Sequence, residues 1–185
     1  MKKQICLLAF IMIPALTFAQ SKIVFPGITD LQKQKLQATK IPLPLPTWIP
    51  DGFSVINIVT KTGRSVKIEN KILTITYGKK LASGHVLKFK IDAGFDGLGD
   101  LPYEGAESIK SKVGEIWLYY EPIEEVEDGR KIKYVGFIQT EWFEIKDLNF
   151  HVVFIQSENE DLNKRLPKIS KADVKRILQS MQVLK

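Results

Sequence analysis

Two stretches of this chain alternate apolar and polar side chains one for one, and that period of two constrains the fold more than any other feature. In Val86 to Ile91, Leu87, Phe89 and Ile91 interleave with Lys88 and Lys90; in Ile72 to Tyr77, Leu73, Ile75 and Tyr77 interleave with Thr74 and Thr76. Successive side chains of a strand point to opposite faces, so each stretch predicts a strand with one buried and one wetted face. That is the pattern of an antiparallel sheet. Phe53 to Lys61 is rich in β-branched residues and ends at Thr62-Gly63-Arg64, a turn signal, with Ser65 to Glu69 following at hairpin spacing. Ser108 to Lys112, Glu115 to Glu121, Ile132 to Thr140, Trp142 to Ile145 and Asn149 to Gln156 complete the predicted set. In the last, Phe150, Val152 and Phe154 share one face and Val153 and Ile155 the other. A strand apolar on both faces belongs at the centre of a sheet.

The period changes near the C-terminus. Ser170 with Asp173 three residues on is a capping-box arrangement, Asp standing for the usual Glu. Val174, Ile177, Leu178 and Met181 then recur at helical spacing, with Lys171, Lys175 and Arg176 on the water side. Residues 21 to 40 read as an appendage rich in Gln and Lys, in which Asp30 is the expected cap of a short helix from Leu31 to about Lys40. Ile41-Pro42-Leu43-Pro44-Leu45-Pro46 follows. Alternating proline fixes φ and removes donors, so this stretch predicts extended, polyproline-like chain at a domain boundary. The expected organisation is a leader at 1–19, an N-terminal extension and Pro-rich linker at 20–44, and one domain at 45–185. The expected fold class is α+β: an antiparallel sheet of about six to eight strands, with the C-terminal helix packed on one face.

The first residues carry an address. Met1, Lys2 and Lys3 are followed by an apolar run from Ile5 to Leu16, broken only by Pro14, and then by Thr17-Phe18-Ala19 ahead of Gln20. A basic start, a short apolar stretch and small residues at the cleavage point make a secretory signal peptide. The run is too short to span a bilayer core of about 30 Å, and nothing after residue 19 is apolar long enough to do so. The expectation is an exported, periplasmic or secreted protein with no transmembrane segment after cleavage. Cys6 is the only cysteine and falls inside the leader. The remainder therefore has no disulfide, thiolate nucleophile or thiolate metal site. Two of the 27 Lys and Arg leave with the leader and none of the 21 Asp and Glu, so the rest stays mildly basic. The lysines are scattered instead of clustered with aromatics, which argues against a nucleic-acid partner.

Few residues advertise chemistry. His85 and His151 are the only histidines. No H-x-H or H-x-x-x-H spacing joins them, and no G-x-S-x-G marks a nucleophile, so both are expected to be ordinary strand or turn residues. Asp92-Ala93-Gly94-Phe95-Asp96-Gly97-Leu98-Gly99-Asp100 looks like a cation loop, but its acids lack the alternate-position spacing of an EF-hand, and a surface loop is the expectation. Glu121, Glu124, Glu125, Glu127 and Asp128 lead into Asp128-Gly129, a hairpin-turn dipeptide. This acidic run is expected to be a solvated tip whose charges keep an edge from pairing. Lys164, Arg165, Lys168, Lys171, Lys175 and Arg176 are expected to be a solvated helix face. Only the aromatics lean towards binding. Trp117 and Tyr119 share one strand face, Leu118 and Tyr120 the other, and Trp142-Phe143 again puts an aromatic on each side. Aromatic side chains are enriched at contact surfaces, so Trp117, Tyr119 and Trp142 are the expected ligand-binding residues. No catalytic residue, metal or cofactor is expected.

Two segments together resemble a known family. Leu45-Pro46-Thr47-Trp48-Ile49-Pro50-Asp51-Gly52-Phe53 is similar to the opening of the bacterial domain of unknown function 4367, and Ile169 to Asp173 with Ile177 to Met181 is similar to its closing helix, which ends in a Ser followed by an apolar residue. Val113-Gly114 and Trp117 fit its middle loosely. The resemblance spans about residues 45 to 183 and implies a bacterial envelope protein without established catalytic residues. Physically, the opening reads as a clasp: two prolines stiffen it, Trp48 anchors it, and Asp51-Gly52 turns it into the first strand. The expected function is a non-catalytic envelope module that binds a protein, peptide or apolar ligand. A hydrolase with an unmarked site and a lipid or lipoprotein carrier are the alternatives.

Overall fold

The alternating stretches form adjacent strands, and their apolar sides line up. The computed structural model describes residues 23–60, 71–94, 105–154 and 168–184. The expected leader, the 62–64 turn, the 65–69 strand, Phe95 to Asp100, Ile155, Lys164 and Arg165 lie outside the described residues. The elements run α1 (Asp30–Ala38), β1 (Pro44–Pro46), β2 (Ser54–Thr60), β3 (Lys71–Lys80), β4 (Val86–Gly94), β5 (Glu107–Ser111), β6 (Gly114–Glu127), β7 (Arg130–Thr140), β8 (Phe143–Ile145), β9 (Leu148–Val153), α2 (Lys171–Gln179) and β10 (Met181–Val183). An eight-stranded antiparallel sheet has the order β2-β3-β4-β9-β7-β6-β5, with β8 also on β9. β9 is central, with Phe150 and Val152 buried on one face and half-buried Val153 on the other. The fold is α+β.

Register joins the apolar sides into one face. Tyr77 faces Phe89, Ile75 faces Ile91, and Ile91 in turn faces Val152. These residues, with Ile116, Leu118 and Ile138, belong to one cluster of buried side chains that also holds Val174, Ile177 and Leu178 of α2. At its centre Phe89 stacks on Tyr77 (ring centroids 4.6 Å) and on Phe154 (5.5 Å), with Phe53 tilted beside it (5.8 Å). The Tyr77 hydroxyl is fully buried with no hydrogen-bond partner among the described residues. Burial pushes its phenol well above the usual range.

The N-terminal segment is integral to this core. Leu36, Leu43 and Leu45 are buried in the same cluster. The boundary expected after residue 44 falls within β1, which pairs with β10 in a separate two-stranded sheet. The proline alternation that suggested free polyproline chain has the period of a strand. Leu184 donates its backbone N–H to Leu43 (2.8 Å) and Thr47 donates to Ser180 (3.1 Å). Those pairs and Leu45–Gln182 are the hydrogen-bonded positions, so Pro44 and Pro46 occupy the alternate positions where no ladder donor is needed. The helix cap is also corrected. Thr29, not Asp30, caps α1, in a full capping box with Gln32, and Asp30 is the first helical residue.

The C-terminal helix starts where its pattern does. The Ser170 hydroxyl accepts from the Asp173 N–H (3.0 Å), and Val174, Ile177 and Leu178 are buried. Its basic side is more than a solvated face. Lys175 and Lys171 both pair with Glu107 of β5, Lys171 also lies over the Tyr120 ring, and the Arg176 guanidinium stacks on Trp48 at 4.0 Å. Hydrogen bonding to Lys175, and then to Lys171, holds the Glu107 carboxyl below its usual range. A depressed carboxylate adds stability above its unfolded pKa and loses it as pH falls through the folded value. The group is exposed, so solvent screening keeps that contribution small.

The clasp closes on this helix. Thr47 donates its hydroxyl to the Ser180 carbonyl (2.9 Å), and Trp48 donates its N–H to the Ser180 hydroxyl (3.1 Å). Gly52 has φ +84° in the turn closed by Phe53 N–H to the Pro50 carbonyl, a conformation open chiefly to glycine. The opening segment and the end of the C-terminal helix are thus in direct contact.

Two hairpin turns share one geometry and differ in suitability. Asp128 and Gly129 have φ +51° and +73° between paired Glu127 and Arg130, a type I′ turn with a favoured dipeptide. Lys146 and Asp147 have φ +50° and +64° between Ile145 and Leu148, the same turn without glycine. Lys146→Asn with Asp147→Gly is therefore expected to stabilise the fold by about 1 kcal/mol, read as a higher urea midpoint at unchanged slope. An unchanged or lower midpoint would show that Lys146 and Asp147 make compensating contacts.

Candidate functional site

Strict alternation gives the sheet a second face, away from the buried cluster. On β6, Ile116 and Leu118 are buried, so Trp117 and Tyr119 point the other way and both are half-buried. On β9, Phe150 and Val152 are buried, which puts His151 on that second face. On β4 and β3, Asp92 lies opposite His151 and Thr74 opposite Asp92. One row thus crosses the sheet perpendicular to its strands.

A bulge brings the third aromatic into this row. Gln139 faces Val153, but Phe143 faces Phe150: four steps on one chain answer three on the other. The extra residue falls at Glu141-Trp142, where two side chains oppose one. Thr140 fills the break, its buried hydroxyl accepting from the Val152 N–H (2.9 Å), and the Glu141 N–H donates to the Trp117 carbonyl (2.8 Å). Phe143 lies near Phe150 on the core face (6.1 Å), while half-buried Trp142 rests on His151 (5.0 Å). Trp117 and Tyr119 on β6 and Trp142 at the bulge therefore share one face on neighbouring strands.

The polar groups around these rings are organised. The Thr74 hydroxyl donates to Asp92 Oδ1 (2.6 Å), with Asp92 buried and Thr74 half-buried. Ser108, directly opposite Trp117, donates its hydroxyl to Glu115, and both are exposed. Gln139 lies opposite Tyr119. The Thr74 donor is committed to a carboxylate, so this row holds its geometry and does not aim a hydroxyl at an imidazole.

The remaining sequence candidates separate. His85 is exposed in the β3–β4 turn, where its carbonyl accepts from Leu81. Asp92-Ala93-Gly94 is not the start of a loop. It is the end of β4, laddered to β3 and β9, and Asp92 is buried there. No group of three or more His, Cys, Asp or Glu among the described residues is placed to hold a metal ion. The acidic run is not a tip either. Glu121 to Glu127 continues β6, cross-strand from a basic stretch of β7, with Glu124 paired to Lys133. Only Asp128-Gly129 is the turn. Opposite charges facing each other across the ladder stabilise it. Sequence reading missed His151 and Glu141 as members of the aromatic row. Its only usable signal was the register of β9 against β7, which the bulge shifts by one.

No helix among the described residues is long and apolar enough to cross a membrane. No family model, curated protein or solved structure matches this chain.

Proposed function

We propose that this chain is an exported, non-catalytic bacterial envelope protein, a binding module whose sheet offers one face to a ligand while the C-terminal helix covers the other. The carrying observation is that Trp117, Tyr119 and Trp142 lie half-buried together on the face opposite the core, around a bulge. Bulges redirect side chains and concentrate at functional places, and aromatic rings supply large contact areas at low entropic cost. Kinship with the domain of unknown function 4367 accords with the clasp, whose two family-like segments meet at Trp48 and Ser180.

Export and binding are tested separately. The full chain, expressed in a bacterium and recovered from the envelope fraction, is expected to begin at Gln20 by N-terminal sequencing. Intact leader on cytoplasmic protein would overturn the export reading. The sequence has three tryptophans, and in a Trp48→Phe variant the fluorescence reports only Trp117 and Trp142. A bound ligand is expected to shift that emission, and Trp142→Ala to weaken its binding about tenfold. Binding that is indifferent to all three aromatics would move the site elsewhere.

A further inference from the structure

We infer that the ligand of this aromatic face is a neutral glycan chain; the inference rests on the binding-face reading and adds the chemical class. A sugar ring presents C–H groups on its flat faces and hydroxyls around its rim. It is held best where an aromatic plane lies beside fixed hydrogen-bonding groups. The face has that composition. The Trp117 ring is flanked across the strand by Ser108, whose hydroxyl is held by Glu115, and both are exposed. That pair offers carboxylate acceptors and an oriented hydroxyl oxygen at the edge of the ring. Gln139, half-buried opposite Tyr119, adds an amide with both donors and an acceptor.

Two other ligand classes fit less well. An apolar ligand needs an aliphatic surround, yet the large exposed hydrophobics among the described residues are Ile23, Val24, Leu31, Ile56, Val59, Val86 and Val126. None lies in the rows that carry the three rings, where half-buried Val153, opposite Gln139, is a single small aliphatic side chain. A strongly charged ligand needs a field of one sign. Glu115 and Lys110 face each other on this face, as do Lys90 and Thr76, so the charges are mixed. Three rings on one face, Trp117 and Tyr119 on β6 and Trp142 between β7 and β8, suit a chain of sugars more than a single one.

The test titrates neutral hexasaccharides (α-linked glucose, β-linked glucose and N-acetylglucosamine) and a set of extended decapeptides into the full mature chain carrying Trp48→Phe, read by tryptophan emission and calorimetry. Saturable binding of at least one hexasaccharide is expected. It should weaken about tenfold in Trp117→Ala and in Trp142→Ala, and several-fold in Glu115→Gln and Ser108→Ala. The last two positions are exposed, so their effect is separable from folding, and circular dichroism checks the tryptophan variants. Peptide binding lost in Trp117→Ala, with no hexasaccharide bound, overturns the glycan class and leaves the binding face standing. Hexasaccharide binding unchanged in all four variants overturns the site. Silence towards every probe overturns both readings.

Discussion

Phe89→Ala is expected to destabilise the fold by about 3–5 kcal/mol. Phe89 is fully buried and touches three other rings, those of Tyr77, Phe154 and Phe53. Its loss removes the transfer free energy of the ring. It also leaves a void bounded by side chains from strands fixed in a ladder, which restricts relaxation. Domains of this size are stable by only about 5–15 kcal/mol, so a sizeable share of the total goes with one residue. The urea midpoint should fall steeply while the slope holds. The adjacent residue predicts the opposite sign. Tyr77→Phe keeps the ring that stacks on Phe89 and removes a buried hydroxyl that has no partner among the described residues. An unsatisfied buried polar group costs about 1–3 kcal/mol, so Tyr77→Phe is expected to be neutral or stabilising. A loss above about 1 kcal/mol in Tyr77→Phe would mean that the hydroxyl is hydrogen-bonded in solution. A loss of under about 1 kcal/mol in Phe89→Ala would mean that the aromatic cluster is not the centre of the core.

Much of this arrangement was legible in the residues, for a reason of range. Alternation at Leu73, Ile75 and Tyr77, and again at Leu87, Phe89 and Ile91, is fixed by strand geometry one residue at a time, so both strands and their buried sides follow directly. The cap at Ser170 and the turn at Asp128-Gly129 are equally local. What escaped depends on partners far away in the chain. Pro44 and Pro46 look like polyproline until β10 supplies the ladder that needs no donor from them. The acids from Glu121 to Glu127 look like a repelling tip until Lys133 lies across from Glu124 and Arg130 across from Glu127. In the candidate site, Trp117 and Tyr119 follow from alternation, but Trp142 does not. Counting from buried Thr140, strict alternation would turn Trp142 inward, and one inserted residue at the bulge turns it out onto His151. Register shifts have no signature in composition.

A chain that starts at residue 45 is expected to lose cooperative folding, whereas one that starts at residue 23 is expected to keep it. The proline run invites the shorter cut, because a stiff, donor-poor stretch resembles a linker. The contacts argue otherwise. Cutting at 45 removes Phe25, Leu36 and Leu43 from the buried cluster, and each large apolar side chain lost from a core costs about 2–5 kcal/mol. It also takes away the Gly27 carbonyl that accepts from Val55 N–H (2.8 Å) and the Leu43 carbonyl that accepts from Leu184 N–H (2.8 Å). One loss opens the edge of β2, and with the other goes the Pro44–Val183 pair, leaving two of the three pairs of a two-stranded sheet. Such a small ladder is not stable without its packing. Together these losses match or exceed the whole stability of a domain this size. The shorter chain should show a broad, non-cooperative thermal transition and bind a hydrophobic dye, and the longer chain a sharp transition without dye binding. Leu36→Ala in the full mature chain isolates one term, expected at about 2–5 kcal/mol. If the chain from residue 45 melts as sharply as the full one, the N-terminal segment is an appendage, and its buried leucines contribute little.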